Sequence, residues 1–150
     1  MAPKNLERGG RVLAAVPAFV RPMPIRFADI DALDHVNHAV TLTYCETIRC
    51  DWFETLGHTS MANLPFIIAS AHVEYKAPIP KSAQLELAMT VPKVGTKSWE
   101  FDYEVRDRRG TLFATAKTVQ VAYDYKAGRS MAIPKELRDQ LEALAPPRAA

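Results

Sequence analysis

The sequence predicts an α+β domain in which a curved antiparallel sheet of about five strands wraps one long helix. Three observations carry this expectation. Residues 38–56, HAVTLTYCETIRCDWFETL, contain no Gly or Pro, and Leu42, Cys45, Ile48, Trp52 and Leu56 recur at three- and four-residue spacing. From residue 67 onward the period of apolar residues changes to two. Val40, Tyr44 and Phe53 widen the apolar side of the helix, and nothing else in the chain is large enough to cover it.

Residues 1–22 carry Pro3, Gly9, Gly10, Pro17 and Pro22, the punctuation of a flexible N-terminal arm. A single domain is expected over 23–145, with 146–150 as a C-terminal tail. A short strand from Met23 to Phe27 opens it and leads into the corner RFADIDALDHVNHAV, residues 26–40. The helix follows from His38 to Leu56, and Gly57 stops it. Ile67, Ala69, Ala71, Val73 and Tyr75 then alternate with Ile68, Ser70, His72, Glu74 and Lys76, and Leu85, Leu87, Met89 and Val91 form the next set. The clearest strand is Ser98 to Arg106, with Trp99, Phe101, Tyr103 and Val105 pointing one way and Glu100, Asp102 and Glu104 the other. Gly95 and Gly110 mark the turns of an antiparallel meander over about 83–124. Pro134 opens a closing helix with Ile133, Leu137, Leu141 and Leu144 on one side.

Composition excludes several function classes. With 48% hydrophobic and 24% charged residues the chain is a folded globular protein rather than a disordered one. A net charge of +2 on dispersed basic residues argues against nucleic acid, and the densest group, Arg106 to Arg109, includes Asp107 and leads into Gly110 as a hairpin turn would. No run approaches the roughly 18 apolar residues of a membrane span. The apolar run 12–20 is broken by Pro17 and lacks an A-x-A site, so export is not expected. Cys45 and Cys50, five apart on a helix, face different ways and read as reduced thiols in a cytoplasmic protein.

The run D-x-D-x-x-x-H-V-N-H, here Asp29, Asp31, His35, Val36, Asn37 and His38, resembles the signature of hotdog-fold proteins of the 4-hydroxybenzoyl-CoA thioesterase type. Tyr44, Glu46 and Arg49, then Tyr75-Lys76-Ala77-Pro78-Ile79, Lys93-Val94-Gly95-Thr96-Lys97-Ser98 and Ile133-Pro134-Lys135-Glu136-Leu137 match in order. The resemblance covers about residues 23–142 and implies a hotdog fold and acyl-CoA thioesterase activity. It places the catalytic carboxylate at Asp31 and the carbonyl-polarising backbone amide at His38. Two departures stand out: Asp34 replaces the usual glycine, and Thr41 stands where tyrosine is frequent. Glycine there suggests a positive φ or a close approach by substrate, and aspartate tolerates the first.

The chemistry agrees with that placement. Amides in the first turn of a helix lack intrahelical partners and carry the positive end of its dipole, so they are natural donors to an oxyanion. Asn37 is the expected N-cap. Asp29 reads as structural, and Glu46 with Arg49, three apart on the helix, as an ion pair. His35 reads as tied into the turn by side-chain hydrogen bonds. His35 and His38 with Asp31 lack a further His or Cys nearby in sequence, so no metal or other cofactor is expected. Lys76, Lys93 and Lys97 are candidates to hold the CoA nucleotide, with Asn37, Asp34 and Thr41 as further substrate-binding candidates. Members of this family pair edge to edge as homodimers, often as dimers of dimers, with active sites at the subunit interface. The alternatives are a thioesterase acting on acyl carrier protein and a non-catalytic module that binds acyl-CoA. A dehydratase on the same fold shares its work between a histidine and an acidic residue, a pattern the Asp31 context does not match.

Overall fold

The computed structural model describes residues 18–58 and 64–145; the expected tail and most of the expected arm lie outside the described residues. The sheet comprises β1 (Phe19–Met23), β2 (Phe66–Tyr75), β3 (Leu85–Val94), β4 (Ser98–Asp107) and β5 (Leu112–Asp124), with two-residue β6 (Arg129–Ser130) added to β5. The strand order is β1-β3-β4-β5-β2, with every pairing antiparallel. The helices are α1 (Val40–Thr55) and α2 (Lys135–Ala143). This is the hotdog arrangement, one long helix against a curved antiparallel sheet.

The opening strand lies four residues before its expected position. Phe19 to Met23 pairs with Met89 to Leu85, while Phe27 to Asp29 forms a single 3-10 turn. Four residues assigned to the arm thus belong to an edge strand, which alternation in five residues containing Pro22 does not announce. The helix begins at Val40 rather than His38, because residues 37–40 are wound as a tighter turn in which the Val40 N–H donates to the Asn37 carbonyl at 3.0 Å.

The core forms where α1 meets the sheet. Tyr44, Cys45, Ile48, Trp52 and Phe53 of α1 are buried together with Leu87, Met89, Val91, Trp99, Phe101, Tyr103 and Val105. Each buried large side chain contributes about 1.5–3 kcal/mol by leaving water. Aromatic packing fastens the end of the helix to the sheet: Trp52 meets Phe101 edge-on at 5.7 Å, and Phe66 stacks on Phe53 at 5.6 Å while meeting Trp99 at 5.5 Å. In α2, Leu137 and Leu141 are buried as the spacing predicts.

Edge strand β2 departs from simple alternation. A register shift between Ile68 and Ser70 inserts an extra residue, so Ile68, Ala71, Val73 and Tyr75 share the face toward α1, and Ile67 turns to the other. All ten residues of β2 are exposed or half-buried, on both faces.

Candidate active site

The corner 29–37 is a tight hairpin whose parts follow from its sequence. Ile30 and Val36 bridge as strand partners, the Asp34 N–H donates to the Asp31 carbonyl at 3.0 Å, and the Asp31 N–H donates to the His35 carbonyl at 3.0 Å. A turn closed this way needs a left-handed residue at its last position. Asp34 supplies it with φ +62°, the one positive φ outside glycine among the described residues. That is the property glycine would bring to this position, and the Asp34 carboxylate, mostly exposed, is taken by Lys81 Nζ at 3.0 Å. Asp31 stands first in the turn, and its Oδ1 accepts the Leu33 N–H at 2.9 Å, as aspartates at that position do.

Asn37 joins the hairpin to the helix. Its Oδ1 accepts the Ala39 N–H at 2.9 Å, and its Nδ2 donates to Asp31 Oδ2 over a long 3.4 Å. The expected N-cap role of Asn37 is not met, because the helix starts two residues later with Ala39 at the cap position and no side chain capping it. The Asn37 amide instead ties the turn before the helix and steadies the carboxylate. The His38 N–H donates to no acceptor among the described residues, and the His38 carbonyl accepts the Tyr75 hydroxyl at 2.6 Å. Asp31, His38, Thr41, Tyr75, Lys76 and Ile79 line an open cleft of about 390 Å³ at this end of α1.

Beneath the hairpin lies Asp29, 1% exposed. Its carboxylate receives the Arg26 guanidinium at 2.9 Å, the Arg26 N–H at 2.9 Å and the Tyr44 hydroxyl at 2.8 Å. Burial alone would raise its pKa, but the bonds from Arg26 and Tyr44, with the Arg26 charge, outweigh burial and hold it below the ordinary value. Burial, reinforced by this carboxylate, drives the Tyr44 phenol well above its usual range. The Asp29 carbonyl accepts the Asn37 N–H at 2.8 Å, so this structural cluster anchors the strand that carries Asn37 and His38.

Not every expected residue reaches the cleft. Thr41, buried at 1% exposure, and Lys76 do; Asp34 and Asn37 support the corner without lining it. Lys93 and Lys97 flank the β3–β4 turn. The row that contains Tyr75 runs through Ala114 and Val105 to Leu87, six residues before Lys93, or about 20 Å along the strand. His35 lines the cleft and is tied to the turn through its backbone rather than its ring. Sequence reasoning misses Tyr75 as a site residue, although the run Tyr75 to Ile79 that forms one wall is visible as a motif.

The expected Glu46–Arg49 ion pair is absent. Glu46 is exposed, whereas Arg49 is 8% exposed and donates from Nη1 to the Tyr103 hydroxyl at 3.0 Å. Helical spacing allowed either partner, and the sheet decided between them. Tyr103 bonds Thr118 at 2.9 Å, and Thr118 bonds the Gln120 amide, which also reaches the Trp99 carbonyl at 3.3 Å when its oxygen faces Thr118. Burial pushes the Tyr103 phenol up to about 12 despite the neighbouring guanidinium, so it stays protonated.

The sequence profile of the thioesterase-like superfamily matches residues 25–141. The chain belongs to the thioesterase-like superfamily. Long-chain acyl-CoA thioesterase FadM of Escherichia coli (strain K12) is 25% identical over 124 residues, 80% of this chain and 94% of that protein. Among solved structures, a thioesterase complexed with coenzyme A and Zn from Thermus thermophilus superposes with a TM-score of 0.77. It is 27% identical over 87% of this chain and 96% of its own. Slr0204, a 1,4-dihydroxy-2-naphthoyl-CoA thioesterase from Synechocystis, has a TM-score of 0.77 at 19% identity, covering 85% of this chain and 97% of its own, and so speaks to the fold alone. Among the described residues of this superfamily member, no three His, Cys, Asp or Glu side chains are grouped to hold a metal ion. No described helix is long and apolar enough to cross a membrane.

Proposed function

We propose that the protein is an acyl-CoA thioesterase that hydrolyses its substrate with Asp31 and the His38 amide. The observation that carries this reading is the meeting, at one cleft, of a carboxylate on a tight turn with the His38 N–H, which lies in the turn just before the helix and has no acceptor among the described residues. A thioester carbonyl whose oxygen accepts the His38 N–H gains a donor aimed where negative charge develops during attack. The helix dipole adds to that effect. Asp31 acts on the other side of the carbonyl in one of two ways. Either it takes a proton from the attacking water and passes it to the departing CoA thiolate, or it attacks directly, expelling CoA thiolate and forming a mixed anhydride. Water then hydrolyses that anhydride to the acid and free Asp31, the proton released going to the thiolate. Its carboxylate is held by Leu33 and Asn37 and retains oxygen lone pairs to do so. The names of the matched relatives support a CoA thioester as substrate, and the narrower likeness to the 4-hydroxybenzoyl-CoA type rests on the motif run.

The same reading makes the protein a homodimer joined through β2. Ile67 and Ile68 are exposed on a ten-residue edge strand, a surface that invites pairing with another strand. Antiparallel pairing of β2 with its copy turns the second sheet end for end, which is the arrangement by which Lys93 and Lys97 would approach the neighbouring cleft. Lys76 stands at the mouth of its own cleft as a partner for CoA phosphates. Free thiols at buried Cys45 and half-buried Cys50 suit a cytoplasmic enzyme.

Thiol release from short, long and aromatic acyl-CoAs tests the reading, with Asp31→Asn beside the wild type. Asparagine can still accept the Leu33 N–H, so the turn survives, while rate should fall by about 10²–10⁴. Release unaffected by the substitution removes Asp31 from the chemistry. Release from acyl carrier protein alone moves the substrate to that carrier, and binding without release leaves an acyl-CoA-binding module.

A further inference from the structure

Two turns of α1 beyond the cleft lies a buried cation that hydrolysis does not use. Arg49 Nε is buried without a partner, and no carboxylate among the described residues pairs with this guanidinium. A guanidinium stays charged at any pH a protein survives, and an uncompensated buried charge is costly unless a counter-charge arrives. Its one hydrogen bond to protein among the described residues uses Nη1, so the Nε edge, the fork that takes a carboxylate through two parallel bonds, is left unsatisfied, with Nε itself sealed from solvent.

The path from cleft to cation can be followed on both walls. Thr41, Cys45 and Arg49 stand at i, i+4 and i+8 on α1, so Arg49 is about 12 Å along the helix from the cleft wall. On the sheet, Tyr75 at the cleft leads along β2 to Val73 and Ala71, the last in register with Thr118 of the Arg49 cluster, about 13 Å away. Tyr75 is 52% exposed, Val73 half-buried and Ala71 exposed, although all three face the helix side. A strip of inner sheet along β2 is therefore uncovered beside α1, running from the proposed reaction centre to the edge of the buried cluster of Arg49, Thr118 and Tyr103.

We propose that this strip receives an acyl chain ending in a carboxylate, bound at its far end by Arg49 with Tyr103 beside it. The inference rests on the thioesterase reading and names its substrate class: ω-carboxyacyl thioesters of medium length, about eight to ten carbons for a span of about 12 Å at ordinary bond lengths. An ω-methyl chain of equal length reaches the same place and leaves the guanidinium unpaired. The site thus discriminates by charge at the chain end.

The test compares matched ω-carboxy and ω-methyl acyl-CoAs by kcat/KM in the wild type, Arg49→Met and Tyr103→Phe, with binding of both followed by thermal shift. The wild type should favour the ω-carboxy member by at least about tenfold, and Arg49→Met should shrink that ratio by a similar factor. Tyr103→Phe keeps the core filled and should shrink it less, and it serves where Arg49→Met fails to fold. Hydrolysis of both chains at equal rates overturns the proposal and leaves the thioesterase reading standing, as does a ratio unchanged in both variants. Absence of hydrolysis from every acyl-CoA defeats the thioesterase reading instead, and equal thermal shifts from the two ligands would then overturn the charge-reading site as well.

Discussion

The buried carboxylate Asp29, beneath the hairpin that carries Asp31, offers the sharpest test of the structural reasoning. Asp29 accepts the Tyr44 hydroxyl at 2.8 Å in a fully buried pair, and a hydrogen bond to a charged group there contributes about 1.5–3 kcal/mol. Tyr44→Phe removes that bond and should cost about 2 kcal/mol. Asp29→Asn keeps the shape but turns the bond into a neutral one and discards the charge facing Arg26, for a similar loss. Since each substitution cancels the partner's contribution, the double variant should be about 1 kcal/mol less destabilised than the sum of the two. For a chain of this size each single variant lowers Tm by about 4–8 °C. Urea denaturation of the four proteins at pH 7 measures the cycle. The folded pKa of Asp29 lies below its ordinary value of 3.8, so its stabilisation is fully present above that value. It is lost as pH falls from there through the lowered folded value, and the difference between wild type and Asp29→Asn should shrink accordingly. Two substitutions that add to within about 0.3 kcal/mol, with a gap that persists at low pH, would refute the coupled cluster.

Other outcomes follow from the same geometry. Asp34→Gly should leave stability unchanged or raise it slightly, because glycine relaxes the left-handed residue while the exposed Lys81 pair contributes little, whereas Asp34→Ala should cost about 1 kcal/mol in a denaturant titration. Tyr75→Phe removes the bond that holds the His38 carbonyl, and a drop of about tenfold in kcat with a smaller change in KM would mark a loosened oxyanion donor; an unchanged kcat would remove Tyr75 from that role. Burial pushes the Cys45 thiol up to about 12, so a disulfide reagent at pH 8 should reach Cys45 only after unfolding, which peptide mapping of the labelled chain reads directly.

Features that depend on local periodicity and backbone constraint are legible in the residues alone. The three- and four-residue spacing of Cys45, Ile48 and Trp52 identifies α1 and alternation identifies the meander, while the left-handed turn at Asp34 is anticipated only through the family resemblance, in which glycine is usual at that position. The gathering of Asp31, Asn37 and His38 is legible because one short hairpin carries all three. Relations between distant strands emerge only when the chain has folded. The edge position of Phe19–Met23, the bulge that turns Ile67 away from the helix and the wall supplied by Tyr75 depend on which strands become neighbours. Arg49 shows the physical reason: on the helix alone Glu46 is its natural partner, but the packing of α1 on the sheet places Tyr103 against its guanidinium and buries it without a counter-charge among the described residues. Spacing along a chain sets which face a side chain occupies, and only packing sets what that face meets.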